Sequence, residues 1–424
     1  MYREAYALFV ISGLIFLAAC GHKSGPTDGS SKSLRITRGG YEPFDRLLLA
    51  QIADYEQIHP DKSISYEPVP GEEYYIKLQT AIAAGNEPDI CYIAGQWVPK
   101  FAREQLVDIP PDAIQESIRC EYVSTAVEYC SYDGIVYGFP YEGGSRVVLY
   151  NKKLVAQAGI EKEPETWEEL ALAAQRCTKF DRFGRMTQEG WAIYGPGLQA
   201  DFVCAIAAFI WSNGGEFMNE EETEFLLDDP RCVEALQFFV DLIYKYKCSS
   251  MGFLSKPEAF AAGRAAYQIG GPWDVCQLKT IAPDIEIGAF LIPPKEKGGP
   301  RCVDNAPWIW AVSANSTHKA EAWKFIQYIQ STSAQLGLAK KLGVTPFGLE
   351  ALKDPLFTTD PVQVVFAESN RYIRMRPRKW FFEIARMLGN QLEMALLGMK
   401  SPAQAMRDAT NDIQRQMRIR QESQ

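Results

Sequence analysis

Histidine is scarce in this chain: there are three, His22, His59 and His318, in 424 residues. They stand far apart and away from paired cysteines, and Cys-x-x-Cys does not occur, which removes the usual zinc spacings; no metal and no cofactor is expected. Gly-x-Ser-x-Gly and P-loop signatures are missing too, and no histidine lies in a triad context. A glycosidase needs two carboxylates at a set separation. Glu142 with Asp274 is the pair to consider, but neither lies in a hydrolase motif, so an enzyme is not expected. Positive charge is also in deficit: 44 Lys+Arg face 53 Asp+Glu, a formal net charge of −9. That balance argues against a nucleic-acid partner, which needs a basic footprint.

No apolar run reaches the roughly 20 residues that a membrane-spanning helix requires. The stretch from Ala7 to Leu17 is short and interrupted by Ser12 and Gly13, and reads as the apolar core of a signal peptide. Its ending, Leu17-Ala18-Ala19-Cys20, resembles the bacterial lipobox. That resemblance implies that residues 1–19 are removed, that Cys20 is lipidated, and that the protein is anchored to the cell membrane on its extracytoplasmic side. An ordinary secretory peptide with a chance cysteine, or an uncleaved anchor, is the alternative. Residues 20–33 carry hardly any large apolar side chains and read as a flexible tether with a reach of roughly 20 Å.

With Cys20 assigned to lipid, nine cysteines remain of ten, an odd count without framework spacing. Cys91, Cys204 and Cys276 sit in apolar contexts that suit buried thiols. Cys120 with Cys130 is the best disulfide candidate, and the sequence leaves it open. Nearly 390 residues of ordinary globular composition, 47% hydrophobic and 23% charged, follow the tether. Such a length suggests two domains or lobes.

What the chain has in quantity is alternation. Strand patterns at Leu34 to Thr37, Ser63 to Val69, Asp89 to Ile93, Arg146 to Tyr150, Ala265 to Ile269, Ile285 to Leu291 and Trp308 to Ser313 are separated by helical spacings such as Phe44, Leu47, Leu48, Ile52 and Tyr55. Thr166-Trp-Glu-Glu169, Asp229-Pro230 and Ser401-Pro-Ala-Gln404 are helix starts. The pattern is that of an α/β protein.

Five segments in order carry a resemblance: Glu87-Pro-Asp-Ile-Cys-Tyr-Ile93; Tyr137-Gly-Phe-Pro-Tyr141 followed by Leu149-Tyr-Asn-Lys152; Pro164-Glu-Thr-Trp-Glu-Glu169; Phe260-Ala-Ala-Gly-Arg264 with Gly271-Pro-Trp273; and Ala322-Trp-Lys-Phe-Ile326. Over about residues 34 to 420 the chain resembles the family 1 extracellular solute-binding proteins of bacterial ABC importers. The resemblance implies a two-lobed periplasmic-binding-protein fold of type II kind, with three hinge crossings and a ligand cleft between the lobes. It places the crossings near Tyr141 to Ser145, Pro294 to Cys302 and Gly343 to Phe347. One lobe is then 34–143 plus 297–345, the other 144–296 plus 346–424. It also implies a sugar ligand, separate ABC permease subunits as partners, and a monomer.

A sugar site needs aromatic platforms for C–H faces and carboxylate, amide or guanidinium groups for hydroxyls. Loops after strands offer such pairs: Tyr41 with Glu42, Gln96 with Trp97, Glu142 after Tyr141, Trp211 with Asn213, Trp273 with Asp274, and Trp308 near Asn305. The cluster Arg371, Arg374, Arg376, Arg378 and Lys379 opposes the dipole of the helix that follows and needs an offset. An anionic ligand group held by Arg374, as in a sugar acid or a glycerol-phosphate type of solute, is one reading; pairing with the acidic body or with the permease is the other. A lipoprotein adhesin without a small-molecule site is a third, less favoured role.

Overall fold

A computed structural model describes residues 33–422 apart from 41, 194–198, 255, 306 and 379–380. The signal peptide, Cys20, the tether up to residue 32 and Tyr41 therefore lie outside the described residues. In chain order the strands used below are β1 (Ser33–Gly40), β2 (Ser63–Pro70), β3 (Ile90–Ala94), β4 (Phe139–Glu142), β5 (Val147–Asn151), β6 (Lys179–Phe180), β7 (Met186–Ala192), β8 (Ala265–Gly270), β9 (Ile287–Phe290), β10 (Val303–Asp304), β11 (Trp308–Val312) and β12 (Ile373–Arg374).

Ten of them form two five-stranded sheets, each the centre of a lobe, and β10 pairs in parallel with β12. The first has the order β2-β1-β3-β11-β4 and the second β9-β5-β8-β7-β6. In the first, β1 pairs in parallel with β2 and β3, while β11 runs antiparallel to both β3 and β4. All five residues of β3 are buried, as a central strand covered on both faces requires. The helix Glu42–Ile58 buries Phe44, Leu47, Leu48, Ile52 and Tyr55, its predicted stripe, and has Glu42 and Asp45 in the first turn, where the dipole favours them.

The second sheet shows period-2 alternation in β5: Val147 and Leu149 enter one apolar cluster and Val148 the opposite one. The helices Phe381–Leu396 and Pro402–Glu422 complete the larger cluster, through Ile384, Leu388 and Leu392 on one and Met406, Ala409, Ile413 and Met417 on the other. Thr166 and Asp229 cap their helices as read from sequence, accepting the Glu169 N–H at 3.2 Å and the Arg231 N–H at 2.8 Å. Among the described residues no helix is long and apolar enough to cross a membrane. All nine cysteines there are free thiols, Cys120 exposed and Cys130 buried.

The chain leaves the first sheet between β4 and β5, at Gly143 and Gly144. Its two later passages fall beyond the expected places. Residues 294–297 stay with the second lobe: the Trp167 N–H donates to the Pro294 carbonyl, and Lys297 pairs with Glu165. The return to the first sheet comes only after β10, in the residues leading to β11. Gly343 is a helix C-cap with φ +70°, so its backbone freedom ends a helix, and the residues after it run beside the first crossing, where Thr345 bridges Gly143. The chain then remains on the first lobe at Phe347 and Leu349, which bond to Val123 and Glu121, before the helix Pro361–Ser369 packs on β9. Gly- and Pro-rich breaks turn a chain within a lobe as readily as between lobes.

Candidate functional site

The carboxyl ends of β1, β3 and β4 and the start of β11 lie side by side, because Trp308 is in register with both Ala94 and Glu142. Arg38, 3% exposed, crosses this end of the sheet. Its Nη2 donates to Glu142 Oε1 at 2.8 Å and its Nη1 to Asp45 Oδ1 at 3.3 Å, while the guanidinium lies over Phe44 and Tyr92 at 4.6 and 4.7 Å. The Tyr92 hydroxyl donates a short hydrogen bond to the same Glu142 oxygen. Above Tyr92, the half-buried Trp308 ring stacks at 4.8 Å with only 4° between planes. Burial pushes the Glu142 carboxyl up, opposed by Arg38. Glu142 Oε2 and Gln96 Oε1 are buried without a hydrogen-bond partner among the described residues.

The facing wall is ionic. Arg146 donates to Asp304 Oδ2 at 3.1 Å and Asp201 Oδ1 at 2.8 Å, and its guanidinium lies 5.3 Å from the Trp273 ring centroid. Asp304, fully buried, also meets Arg376 Nε at 2.6 Å, and Arg376 Nη1 contacts Cys204 Sγ at 3.1 Å. Burial raises the Asp304 carboxyl, opposed by Arg376 and then Arg146. Between the walls lies a cleft of about 480 Å³, within the range of small-molecule sites. At its back are Gly143 and Gly144; a Cβ at Gly143 would meet the Phe347 ring and Asn305 Oδ1, and one at Gly144 would meet Pro272 and Trp273. Close approach of backbone to these groups is what glycine permits here.

Of the residues singled out in the sequence, Gln96, Glu142, Trp273 and Trp308 line the cleft. Asn305 lies behind it, buried, with Nδ2 3.4 Å from Ser145 Oγ. The others are elsewhere. Trp97 packs into the first core against Tyr75 and Phe101, and Trp211 is buried against Phe217. Asn213 bonds the Arg231 carbonyl and Glu234, Asp274 accepts the Gly271 N–H at the start of its helix, and Glu42 pairs with Arg46 on the surface.

Arg374 pairs with Glu216 at 2.9 Å, away from the cleft. The offset for the basic cluster is thus largely internal: Arg376 meets Asp304, and Arg378 donates to the carbonyls of Tyr129 and Ser131, both at 2.9 Å. No group of three or more His, Cys, Asp or Glu able to hold a metal ion occurs among the described residues.

A family model of bacterial extracellular solute-binding proteins matches residues 39–336. The chain belongs to that family. As a solute-binding protein it is 28% identical over 343 residues to the maltotriose-binding protein of Pyrococcus abyssi, covering 80% of this chain and 71% of the relative. Its fold is that of maltose-bound MalE3 of T. maritima, with a TM-score of 0.78 at 23% identity over 90% of this chain and 98% of the other. The same fold occurs in UgpB from Mycobacterium tuberculosis in complex with glycerophosphocholine, with a TM-score of 0.79 at 17% identity over 91% and 98%.

The cleft of this solute-binding protein also draws on residues that sequence reading passed over. Arg38, Tyr92, Arg146, Asp201 and Gln277 line it together with Cys204 and Arg376. Arg38 lies just past the strand pattern Leu34 to Thr37, where a buried cation has no local sign. Its partner Glu142 is 104 residues away.

Proposed function

We propose that this solute-binding protein captures a neutral carbohydrate in the cleft between its lobes and delivers it to an ABC permease. The observation that carries the reading is the pair of tryptophans on opposite walls, Trp308 and Trp273, with Gln96, Glu142, Asp201 and Gln277 around them. Aromatic faces take sugar C–H surfaces, and the amides and carboxylates take hydroxyls. Each cleft guanidinium has a carboxylate partner: Arg38 has Glu142, Arg146 has Asp201, and Arg376 has Asp304. An anion would have to compete with those carboxylates, which favours a neutral solute over a sugar acid or phosphate ester. The name of the maltotriose-binding relative supports the same class. Closure of the lobes would bury the sugar, a hinge motion of the kind periplasmic binding proteins use. Cys20 is the proposed site of lipid anchorage on the extracytoplasmic side, and the protein is proposed to act as a monomer without catalytic activity.

A thermal-shift panel tests this reading. A ligand at about 100 times its dissociation constant adds roughly 2.7 kcal/mol, which for a chain of this size is a rise on the order of 3 °C. Neutral oligosaccharides are expected to give the shift. A flat response to them with a shift from glycerophosphocholine or uronates would replace the carbohydrate by an anionic or other polar solute.

A further inference from the structure

At the outer edge of the second sheet, the hairpin joining β6 to β7 carries a built tip that lines no part of the cleft. Asp181 Oδ1 accepts the N–H groups of Phe183 at 2.8 Å and Arg185 at 2.9 Å, and the Gly184 N–H donates to the Asp181 carbonyl at 3.0 Å. This frame holds Phe183 outward at 69% exposure, the most exposed large apolar side chain among the described residues. The Arg182 and Arg185 guanidinium carbons lie 4.7 and 5.9 Å from its ring centroid. Neither arginine has a carboxylate within ion-pair distance among the described residues, and Phe180, 51% exposed, lies on the same hairpin. Lys179, Arg182 and Arg185 against Asp181 make this a cationic point on a chain of net charge −9.

We propose that this tip docks on an anionic lipid surface, with Phe183 at the depth of the headgroups and Arg182 and Arg185 on lipid phosphates. The shape favours lipid over protein. A convex point of a few residues cannot offer the roughly 800 Å² per partner of a stable protein interface. An interfacial contact needs only an apolar wedge flanked by cations, whose charge acts within a Debye length of the membrane. The acidic remainder is repelled by the same surface, so the tip fixes which side of the protein faces it.

The test uses residues 20–424 carrying Cys20→Ser, so that neither the apolar run Ala7 to Leu17 nor an acyl group contributes, with vesicles of phosphatidylglycerol and phosphatidylcholine compared with phosphatidylcholine alone. The expected result is phosphatidylglycerol-dependent binding that falls about 10-fold or more in Arg182→Ala/Arg185→Ala. Phe183→Ala is expected to lower it about 3-fold or more, and Phe183→Trp to retain it. The side chains are exposed, so the melting temperature should not move. Variants that bind such vesicles as well as the parent, whether or not they self-associate through the β6 edge, overturn the proposal. So does loss of permease binding with vesicle binding intact, which would assign the tip to a protein partner.

Discussion

The two walls of the cleft are built from different physics. On the first lobe the site is a stack: Trp308 lies flat on Tyr92, Arg38 is wedged between Tyr92 and Phe44, and Glu142 ties Arg38 to the Tyr92 hydroxyl. On the second, Trp273 stands beside a chain of charges running from Asp201 through Arg146 and Asp304 to Arg376. A stacked platform is fixed by packing before a ligand arrives. A charge chain ending in Asp201, 52% exposed, meets water at one end and is buried at the other. The difference suggests a first lobe that offers a preformed face and a second lobe whose order is electrostatic.

The largest effect that separates the walls should come from Asp304→Ala. It leaves Arg376 and Arg146 facing an emptied buried site, a change worth about 3–5 kcal/mol. The melting temperature is expected to fall by about 5 °C in calorimetry. Trp308→Ala should act on the other property, lowering carbohydrate affinity by about 2 kcal/mol in titration calorimetry with a small change in melting, because the ring is half-buried and its platform Tyr92 remains. If Asp304→Ala lowers affinity alone and Trp308→Ala lowers stability alone, the comparison is reversed.

The second lobe also holds a buried acid apart from the cleft. Glu189 is 1% exposed, and burial raises its carboxyl to about 9, opposed by Arg264. The folded chain therefore keeps this proton while the unfolded chain releases it near pH 4.3. Stability contributed at this group falls as pH rises from about 4.3 toward 9. Glu189→Gln is expected to stabilise the protein by about 1–2 kcal/mol at pH 8 and to make no difference at pH 4, measured by urea unfolding. The smallest effect belongs to Arg374→Ala. Its exposed pair with Glu216 should count for less than about 0.5 kcal/mol in stability, and ligand affinity should not change.

Local rules were legible in the sequence. The alternation of strands and helices, the caps at Thr166 and Asp229, and the stripe from Phe44 to Tyr55 follow from spacings of a few residues, and the structure has them. Trp308 and Trp273 were found because each stands where a strand begins or has just ended. Trp97 stands in a similar place, directly after β3, but its ring turns inward against Tyr75 and Phe101. Sequence carries no sign of that choice, which is made by helices packed from elsewhere in the chain. Arg146 was beyond reach for the same reason, and Arg376 was visible only as one of a basic cluster, since their common partner Asp304 is 158 residues from the first and 72 from the second. The last passage between the lobes was obscured because the break at Gly343 is a helix cap.

Titration calorimetry of the protein with maltotriose and a panel of other neutral oligosaccharides, repeated on Trp308→Ala and Trp273→Ala, decides whether the two tryptophans hold a sugar between the lobes. Saturable one-site binding of at least one neutral sugar is expected, weakened by either substitution and lost when both are combined. Binding of a neutral sugar that both substitutions leave unchanged, or binding of anionic solutes alone, would contradict it.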